Sequence, residues 1–181
     1  MINLVFVALM LIQRETSAHA AAIRTVTAAA FARPEQSHQT AAEATLVDDL
    51  RASDAWLPAF SLVAVDSAGV IGHVLGSRAR VESAPVLAIG PLSVHPNHQG
   101  RGVGQALMHA VLGAADALDE PLVVLLGDPR YYSRFGFRLA EDYGIMPPVP
   151  QWRSHLQARP LTAFTPALHG QFAYAEPFDR L

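Results

Sequence analysis

The sequence predicts an α/β protein in which one mixed central β-sheet carries helices on both faces. Residues 86–126 contain an apolar run, an amphipathic helix and a second apolar run, which is the order of a βαβ unit with parallel strands. Two β-rich runs, 60–65 and 70–76, flank a four-residue turn and predict an antiparallel hairpin. Because no linker divides the 181 residues, we expect a single domain over residues 1–181.

The first element is an apolar run over residues 4–12. Nine residues are too few to cross a bilayer, which takes about 20 in a helix. No basic residue precedes the run, as a secretory signal would require. We therefore expect this run to form the first strand, for which residues 11–15 alone would suffice, and we expect a cytoplasmic location and no membrane partner. Met10 offers a second start site besides Met1, and residues 1–9 would then be an upstream extension.

Three helices are predicted from caps and apolar spacing. Thr16 or Ser17 caps a helix over 20–31, and a second helix over 41–52 follows a polar loop at 33–40. The third helix runs from about residue 102 to 117. In each helix the spacing of the apolar residues predicts one buried face. These residues are Ile23, Val26 and Ala30 in the first helix, Leu46, Val47 and Leu50 in the second, and Val103, Leu107, Val111, Ala114 and Leu118 in the third.

The second half of the chain continues the sheet. Residues 122–126 are uninterruptedly apolar, as expected of a buried strand in a parallel pair. A short helix over 130–135 and further strands after Phe137 follow. Residues 145–181 form a tail of C-terminal strands on the substrate side, broken by prolines and held to the core by four aromatic residues, Phe164, Phe172, Tyr174 and Phe178.

The composition excludes several classes of site. Cysteine is absent, which removes disulfides, thiolate metal sites and a cysteine nucleophile. All 13 basic residues are arginine, so a P-loop and Schiff-base chemistry, both of which need lysine, are excluded. The net charge of -3 gives no reason to expect a nucleic-acid partner, and we expect no metal.

The chemistry is concentrated in residues 90–105. There a strand ends in a polar turn, and Gly100, Gly102 and Gly104 open the long helix. The first amides of a helix lack partners within it and carry partial positive charge, so this turn predicts an anion site, to which Arg101 adds charge. The G-x-G-x-G spacing does not match the G-x-G-x-x-G of dinucleotide folds, and a plain glycine-rich turn is the other alternative.

Gly90-Pro91 is an anomaly inside the apolar run at 86–94. Proline cannot donate to a β-ladder and is confined to edges and bulges. We therefore expect a bulge there, with residues 86–88 and 92–94 not forming one continuous ladder to the strand at 122–126.

Two motifs carry a family resemblance. Gln99-x-x-Gly102-x-Gly104, preceded by Val94-x-Pro96, resembles motif A of the GNAT superfamily of N-acetyltransferases. Residues 132–137 are similar to its Y-x-x-x-G-F element, and the order of elements over 11–137 agrees. One departure is residues 126–129, which enter the tyrosine helix without the asparagine that the family often has.

This resemblance implies the GNAT architecture with splayed fourth and fifth strands, acetyl-CoA as cosubstrate and no metal. The implied acid is Tyr132, which would protonate the leaving thiolate, while the Leu92 amide would polarise the thioester. The implied cofactor-binding residues are Leu92, Ser93, Val94, Gln99, Gly100, Arg101, Gly102, Val103, Gly104, Gln105, Tyr131 and Phe135.

The general base and the acceptor remain open at this level. Candidate bases are His73, His95, His98 and Glu82, and Arg130 and Arg134 are expected on a solvated face of the short helix. The aromatic or polar residues that could line an acceptor pocket are Trp56, Phe60, Trp152 and His155.

The resulting prediction is a bacterial enzyme that transfers the acetyl group of acetyl-CoA to a primary amine of a small molecule or protein by direct attack. One alternative is another short acyl-CoA donor, such as propionyl- or succinyl-CoA. A second is a non-catalytic acyl-CoA-binding or sensing module. A homodimer also stays open.

Overall fold

A computed structural model describes residues 9–32 and 41–181. Within them, nine strands form a mixed sheet of order β1-β2-β3-β4-β5-β8-β6, with β9 beside β3 and β7. The strands are β1 (Leu11–Arg14), β2 (Trp56–Asp66), β3 (Gly69–Val81), β4 (Ala84–Val94), β5 (Leu122–Leu126), β6 (Arg138–Leu139), β7 (Ile145–Met146), β8 (Leu156–Pro160) and β9 (Gly170–Ala173).

Four α-helices accompany the sheet in these residues: α1 (Ala20–Ala30), α2 (Ala42–Arg51), α3 (Val103–Ala117) and α4 (Pro129–Tyr132). Short 3-10 turns cover Ser17–His19, Pro96–His98, Ser133–Phe135, Ala140–Tyr143, Pro150–Trp152 and Glu176–Arg180. The loop predicted over 33–40 and all but the last residue of the possible extension over 1–9 lie outside the described residues.

The helices cover both faces of the sheet, as predicted. On one face α3 buries Leu107 and Val111 against strand residues such as Val74. On the other face α1 and α2 bury Ile23 and Leu50 against the same strands. The C-terminal segment covers the rest of that second face with a cluster around Ile145, Leu156 and Phe172. The mixed sheet therefore lies between α3 on one side and α1, α2 and the tail on the other.

Two local predictions are wrong. The hairpin strands are longer than predicted, and Asp66 pairs with Gly69, so the turn has two residues instead of four. Gly69 makes this tight turn possible because its φ of +104° is open to glycine and rarely to other residues. Leu118, predicted on the buried face of α3, is 52% exposed. The helix ends at Ala117, and the chain turns away at Asp119, whose φ is +57°.

The predicted irregularity at Gly90-Pro91 is confirmed. Gly90 and Pro91 together face one residue of β3, Leu75, because the register of the β3–β4 pairing shifts by one at this point. The Gly90-Pro91 peptide bond is cis. An extra residue in one strand reverses the faces of all side chains after it. Leu92 consequently lies on the α3 face, and Ser93 lies on the α1 face, where its hydroxyl donates to Thr27 at 3.1 Å.

The bulge also separates β4 from β5. The two strands pair in parallel through Leu87–Val123 and Ala88–Val124, and the pairing stops there. Beyond Ala88, β4 continues along β3 alone as far as Val94. The prediction that residues 92–94 do not continue the ladder to β5 is therefore confirmed, and the two strands diverge beside the start of α3.

A buried polar cluster lies on the side of β3 away from β4, where β2 and the end of β1 pack. Ser61 donates to Glu15, and the Nε2 of His73 lies 2.9 Å from the same Ser61 hydroxyl. Since the hydroxyl proton goes to Glu15, His73 donates to Ser61, the reverse of the direction in a hydrolytic triad. Arg51 adds a 2.7 Å hydrogen bond to the carboxylate.

These contacts decide the protonation of the cluster. Burial opposes ionisation of Glu15, but hydrogen bonds from His73, Ser61 and Arg51 outweigh it and lower the carboxyl pKa to about 2. Burial lowers the pKa of His73, which therefore stays neutral at neutral pH. A carboxyl with a lowered folded pKa stabilises the protein above its ordinary pKa of 4.5, and that contribution is lost as the pH falls toward about 2.

We predict that Glu15→Gln lowers the free energy of unfolding by about 3 kcal/mol at pH 7, because the neutral amide loses the charge-assisted hydrogen bonds of the buried carboxylate. Arg51 keeps its ion pair with Asp48 in the variant. Chemical denaturation measures the change. The difference between parent and variant should shrink as the pH falls from 4.5 toward 2. Glu141→Gln, which breaks the exposed pair with Arg153, is the matched control and should cost no more than about 1 kcal/mol. A pH-independent difference would contradict the assignment.

Candidate active site

A cavity of about 450 Å³ lies where β4 ends and α3 begins. Its walls come from the end of α1, the last residues of β4, the glycine turn at residues 100–104 and the tyrosine helix, which is α4 together with the 3-10 turn Ser133–Phe135. The lining residues are Ala30, Phe31, Leu92, Val94, His98, Gln99, Gly100, Gly102, Val103, Gly104, Gln105, Tyr131 and Arg134. Nine of the twelve residues predicted to bind cofactor are in this set, so the structure brings them to one place.

The glycine turn gives this cavity the backbone geometry that an anion site requires. Gly100 and Gly102 have φ values of +72° and +83°, which other residues rarely adopt. Gly102 caps α3 without a side chain, so the amides of Val103, Gly104 and Gln105 have no partner inside the helix. These amides and the positive end of the helix dipole favour the binding of negative charge at the start of α3.

The main chain of β4 presents a second set of groups. His95 N donates to Ile71 O at 2.9 Å, which marks these two opposed residues as a hydrogen-bonded pair. Hydrogen-bonded pairs alternate along an antiparallel ladder. The opposed pair His73–Ser93 is therefore bonded too, whereas the main-chain groups of Leu92 and Val94 point away from β3, into the opening left by β5.

The alternation of hydrogen-bonded pairs along this ladder argues against one predicted cofactor-binding residue, Ser93. The main-chain groups of Ser93 face β3, and its buried hydroxyl is bonded to Thr27. Ser93, predicted to bind the cofactor, therefore has no main-chain group facing the opening. Leu92 and Val94 do have such groups, and the side chain of Gln99 donates to Val94 O at 3.0 Å. Gln99 thus fixes the last carbonyl of β4 beside the glycine turn.

A second cavity of about 540 Å³ lies on the other side of the opening. Leu92 and Tyr131 line both cavities, so the two meet where β4 leaves β5. The walls of the second cavity come from α2, the bulge, the end of β5, the tyrosine helix and the tail. Its lining residues are Phe31, Glu43, Leu46, Ile89, Gly90, Pro91, Leu92, Leu126, Gly127, Asp128, Tyr131, Tyr132, Trp152, Tyr174, Phe178 and Leu181.

The tyrosine helix begins with a strong local signal. Asp128 caps it by accepting the Arg130 amide at 2.9 Å, and Pro129 occupies its first turn. The ring of Tyr132 lies so close to Gly127 that a Cβ there would meet it at 2.3 Å. A residue without a side chain is therefore required before the cap, and this packing fixes the Tyr132 ring at the wall of the second cavity.

The two adjacent tyrosines occupy different positions. The Tyr131 hydroxyl lies 2.9 Å from where a Cβ on Gly104 would stand, beside the anion site. Tyr132 lines the second cavity and packs edge to face against Phe137. Burial raises the pKa of Tyr132 to about 12, and the neighbouring Tyr131 adds to the rise. Burial also raises the pKa of Tyr131. Both phenols therefore stay protonated at neutral pH.

Three residues, Arg101, Arg134 and Phe135, lie elsewhere relative to the first cavity than the sequence predicted. Arg101 is exposed and does not line the first cavity, whereas Arg134, predicted on a solvated face, lines it and stacks 4.8 Å from the Tyr131 ring centroid. Arg130 is on a solvated face as predicted, paired with Asp128. Phe135 is only 3% exposed and belongs to the core, so it supports Tyr131 from behind instead of touching a ligand.

None of the four candidate bases lines the second cavity. His73 belongs to the buried cluster, and the Glu82 carboxylate accepts the Gln171 amide at 2.6 Å. His95 caps the 3-10 turn at Pro96–His98, and His98 lines the first cavity. The carboxylates that do line the second cavity are Glu43 and Asp128.

Glu43 was not among the residues predicted for the site, and Trp152 was one of four residues predicted to line an acceptor pocket. Glu43 precedes the buried Leu46 by three residues, which places both on neighbouring positions of one helix face. That spacing was the available signal. Of the predicted wall residues, Trp152 lines the cavity, whereas Trp56, Phe60 and His155 do not.

The described residues show neither a metal site nor a membrane-spanning helix. Residues 9–32 and 41–181 contain no group of three or more His, Asp or Glu side chains arranged to hold a metal ion. In the same residues, no helix has the length and apolar character needed to span a membrane.

Comparison with known proteins identifies this arrangement. A family model for the acetyltransferase (GNAT) domain matches residues 58–139. The uncharacterized N-acetyltransferase YhbS of Escherichia coli K12 is 36% identical over 151 residues, which cover 80% of this chain and 88% of YhbS. The chain belongs to the GNAT acetyltransferase family. The uncharacterized N-acetyltransferase YjhQ of the same organism is 33% identical over 143 residues, or 75% of this chain and 79% of YjhQ.

Solved GNAT structures have the same fold. Escherichia coli YhbS in complex with CoA superposes with a TM-score of 0.86 and 31% identity, covering 96% of this chain and 94% of that one. A GNAT acetyltransferase from Brucella melitensis in complex with acetyl-CoA superposes with a TM-score of 0.76 and 33% identity, covering 95% of this chain and 99% of that one. The predictions of the GNAT family, of its mixed α/β architecture and of an acyltransferase are therefore confirmed.

Proposed function

We propose that this GNAT acetyltransferase transfers the acetyl group of acetyl-CoA to a primary amine by direct attack, with the donor in the first cavity and the amine in the second. One observation carries the proposal: β4 leaves β5 after Ala88, so the Leu92 and Val94 main-chain groups open onto the passage between the two cavities. The CoA and acetyl-CoA held by the two GNAT neighbours support the identity of the donor.

The first cavity fits the charged part of the donor. A diphosphate can approach the amides of residues 102–105 because the glycines carry no Cβ, and the guanidinium of Arg134 lines the same space. The extended pantetheine arm carries amide groups that can pair with Leu92 and Val94 as an added strand would. The donor thus replaces the strand contacts that β5 does not make.

The Leu92 amide is proposed to polarise the thioester. Its N–H points into the opening, near the junction that Leu92 shares between the two cavities. As the amine attacks, negative charge develops on the carbonyl oxygen, and a fixed amide donor stabilises that charge more in the transition state than in the ground state. The main chain of a paired strand holds this donor in place before the reaction begins.

Tyr132 is proposed as the general acid. When the carbon–sulfur bond breaks, the departing thiolate of CoA takes a proton, and the Tyr132 hydroxyl at the wall of the acceptor cavity supplies it. Because burial raises the pKa of Tyr132 to about 12, the phenol carries its proton at neutral pH and is available to donate it. The attacking amine gives up a proton in the same overall exchange, so the phenol is restored without a net change in the enzyme.

We predict that Gly104→Val weakens acetyl-CoA binding at least tenfold, because the new side chain collides with the Tyr131 hydroxyl and narrows the anion site. Isothermal titration calorimetry measures the affinity. Gly113→Ala, in the same helix with open space around it, is the control and should bind normally and fold at least as well. Unchanged affinity in a folded Gly104→Val protein would place the diphosphate elsewhere.

We predict that Tyr132→Phe lowers kcat by about 10²–10⁴, because it removes the proton donor and keeps the ring. The Kd for acetyl-CoA should barely change, since the lost interaction belongs to the transition state. Thiol release with a good amine acceptor measures kcat, and melting temperatures are recorded in parallel. Tyr143→Phe, a tyrosine that packs on Phe164 outside both cavities, should leave kcat unchanged.

Tyr131→Phe separates the two tyrosines. If Tyr132 is the acid, Tyr131→Phe should alter acetyl-CoA affinity more than kcat, because the Tyr131 hydroxyl lies beside the anion site at Gly104. The reverse pattern, with kcat lost in Tyr131→Phe and kept in Tyr132→Phe, would transfer the acid role to Tyr131 without changing the donor site.

A further inference from the structure

A histidine in contact with a carboxylate lies at the wall of the first cavity. His98 lines this cavity beside the glycine turn. Its Nδ1 lies 3.6 Å from one carboxylate oxygen of Asp66, the last residue of β2. The other oxygen of that carboxylate accepts the Ala68 amide at 2.7 Å, so the hairpin turn fixes its position. Asp66 is therefore held as a partner for His98 before any ligand binds.

The ring of His98 has one nitrogen left for a ligand. Nδ1 faces Asp66, whereas Nε2, on the other side of the ring, has no hydrogen-bond partner among the described residues. The ring also meets the ring of His95 edge to face at 6.0 Å, and 22% of the His98 side chain is exposed. His95 is engaged elsewhere, since its Nδ1 accepts the Asn97 amide at 3.3 Å. Packing and the Asp66 contact thus hold the His98 ring in place.

The protonation state of His98 decides what Nε2 can bind. In a neutral ring that donates its Nδ1 proton to Asp66, Nε2 carries a lone pair, which repels the oxygens of a phosphate. A protonated ring donates from both nitrogens, to the carboxylate on one side and to a phosphate on the other. The other cationic side chain at this cavity is Arg134, whereas Arg101 is exposed outside it. Asp66 is the group that offsets the charge of a protonated His98.

We propose that His98 binds a phosphate of the donor as an imidazolium, so that acetyl-CoA binding takes up a proton and weakens as the pH rises. This inference rests on the proposed placement of acetyl-CoA in the first cavity. The proton passes from solvent to Nε2, and Nδ1 keeps its own proton on the side of Asp66. CoA carries a diphosphate and a ribose phosphate, and an imidazolium can donate to either. Imidazole suits this role because its charge changes near neutral pH.

Calorimetry of acetyl-CoA binding, in buffers with different heats of ionisation, counts the protons that are taken up. Well above about pH 6 the phosphates of the donor are fully ionised, so the count reports on the protein. We expect uptake by the parent and a Kd that rises at least about threefold from about pH 7 to about pH 8.5. His98→Gln should abolish the uptake, bind about fivefold or more weakly at about pH 7, and have a Kd that does not change with pH.

His109→Gln is the matched control for this substitution. His109 is exposed on α3 and packs against Phe135, outside the first cavity. This variant should bind acetyl-CoA with the proton uptake and pH dependence of the parent. The same uptake and pH dependence in a folded His98→Gln protein would overturn the inference.

Asp66→Asn tests the sign of the carboxylate's effect. An asparagine can still accept the Ala68 amide and keep the turn, but it lacks the charge. If the carboxylate acts only by repelling the donor, the variant should bind acetyl-CoA more tightly. We expect the opposite, with less proton uptake and weaker binding at about pH 8, because the imidazolium loses the anion that stabilises it. Tighter binding with unchanged uptake would overturn the inference.

A second ligand identifies the phosphate, and an earlier variant keeps this inference apart from the proposed function. Acetyl-dephospho-CoA lacks the ribose phosphate. Uptake that depends on His98 and persists with this ligand assigns the diphosphate, and uptake that disappears with it assigns the ribose phosphate. If Gly104→Val abolishes acetyl-CoA binding and His98→Gln changes nothing, the donor site stands and only this inference fails. If neither variant changes binding, the placement of the donor fails as well.

Discussion

The candidate active site depends on the register shift at Gly90-Pro91. A regular β4 would pair with β5 along its length and would turn Leu92 toward α1. The extra residue instead reverses the faces of β4 and ends its pairing with β5 after Ala88. The same strand is therefore a buried member of the sheet in its first half and an unpaired edge in its second. Such an edge is a liability in most proteins, and here it opens onto the passage between the two cavities.

Sequence patterns predicted what depends on local order along the chain. The glycines at 100, 102 and 104, the proline at 91 and the spacing of the long helix depend on local chain geometry in any fold, so the glycine turn, the bulge and α3 were predicted correctly. The short turn at Ser67-Ala68 and the exposed Leu118 were missed, because the end of an element depends on pairing and turning that a periodic pattern does not contain.

Site residues were harder to predict where their role depends on neighbours distant in the chain. Ser93 lies between two residues that fit the opening, and only the phase of the ladder with β3 shows that it faces the other way. Arg134 and Glu43 gave no sequence signal strong enough to assign them, because a charged residue on a helix is usually solvated. They reach the cavities only because the tyrosine helix and α2 pack against different sides of the same opening.

The tail has a consequence for how this enzyme can diverge. The first cavity, proposed for the donor, is built by β4, the glycine turn and α4. The aromatic part of the second cavity, proposed for the acceptor, comes from Trp152, Tyr174 and Phe178, beyond the family-model match at 58–139. Changes in that late segment can reshape the acceptor wall while the strand, turn and helix that hold the donor stay as they are. A few exchanges near the C-terminus would then give gene copies different acceptor preferences, with the acyl-transfer machinery inherited intact.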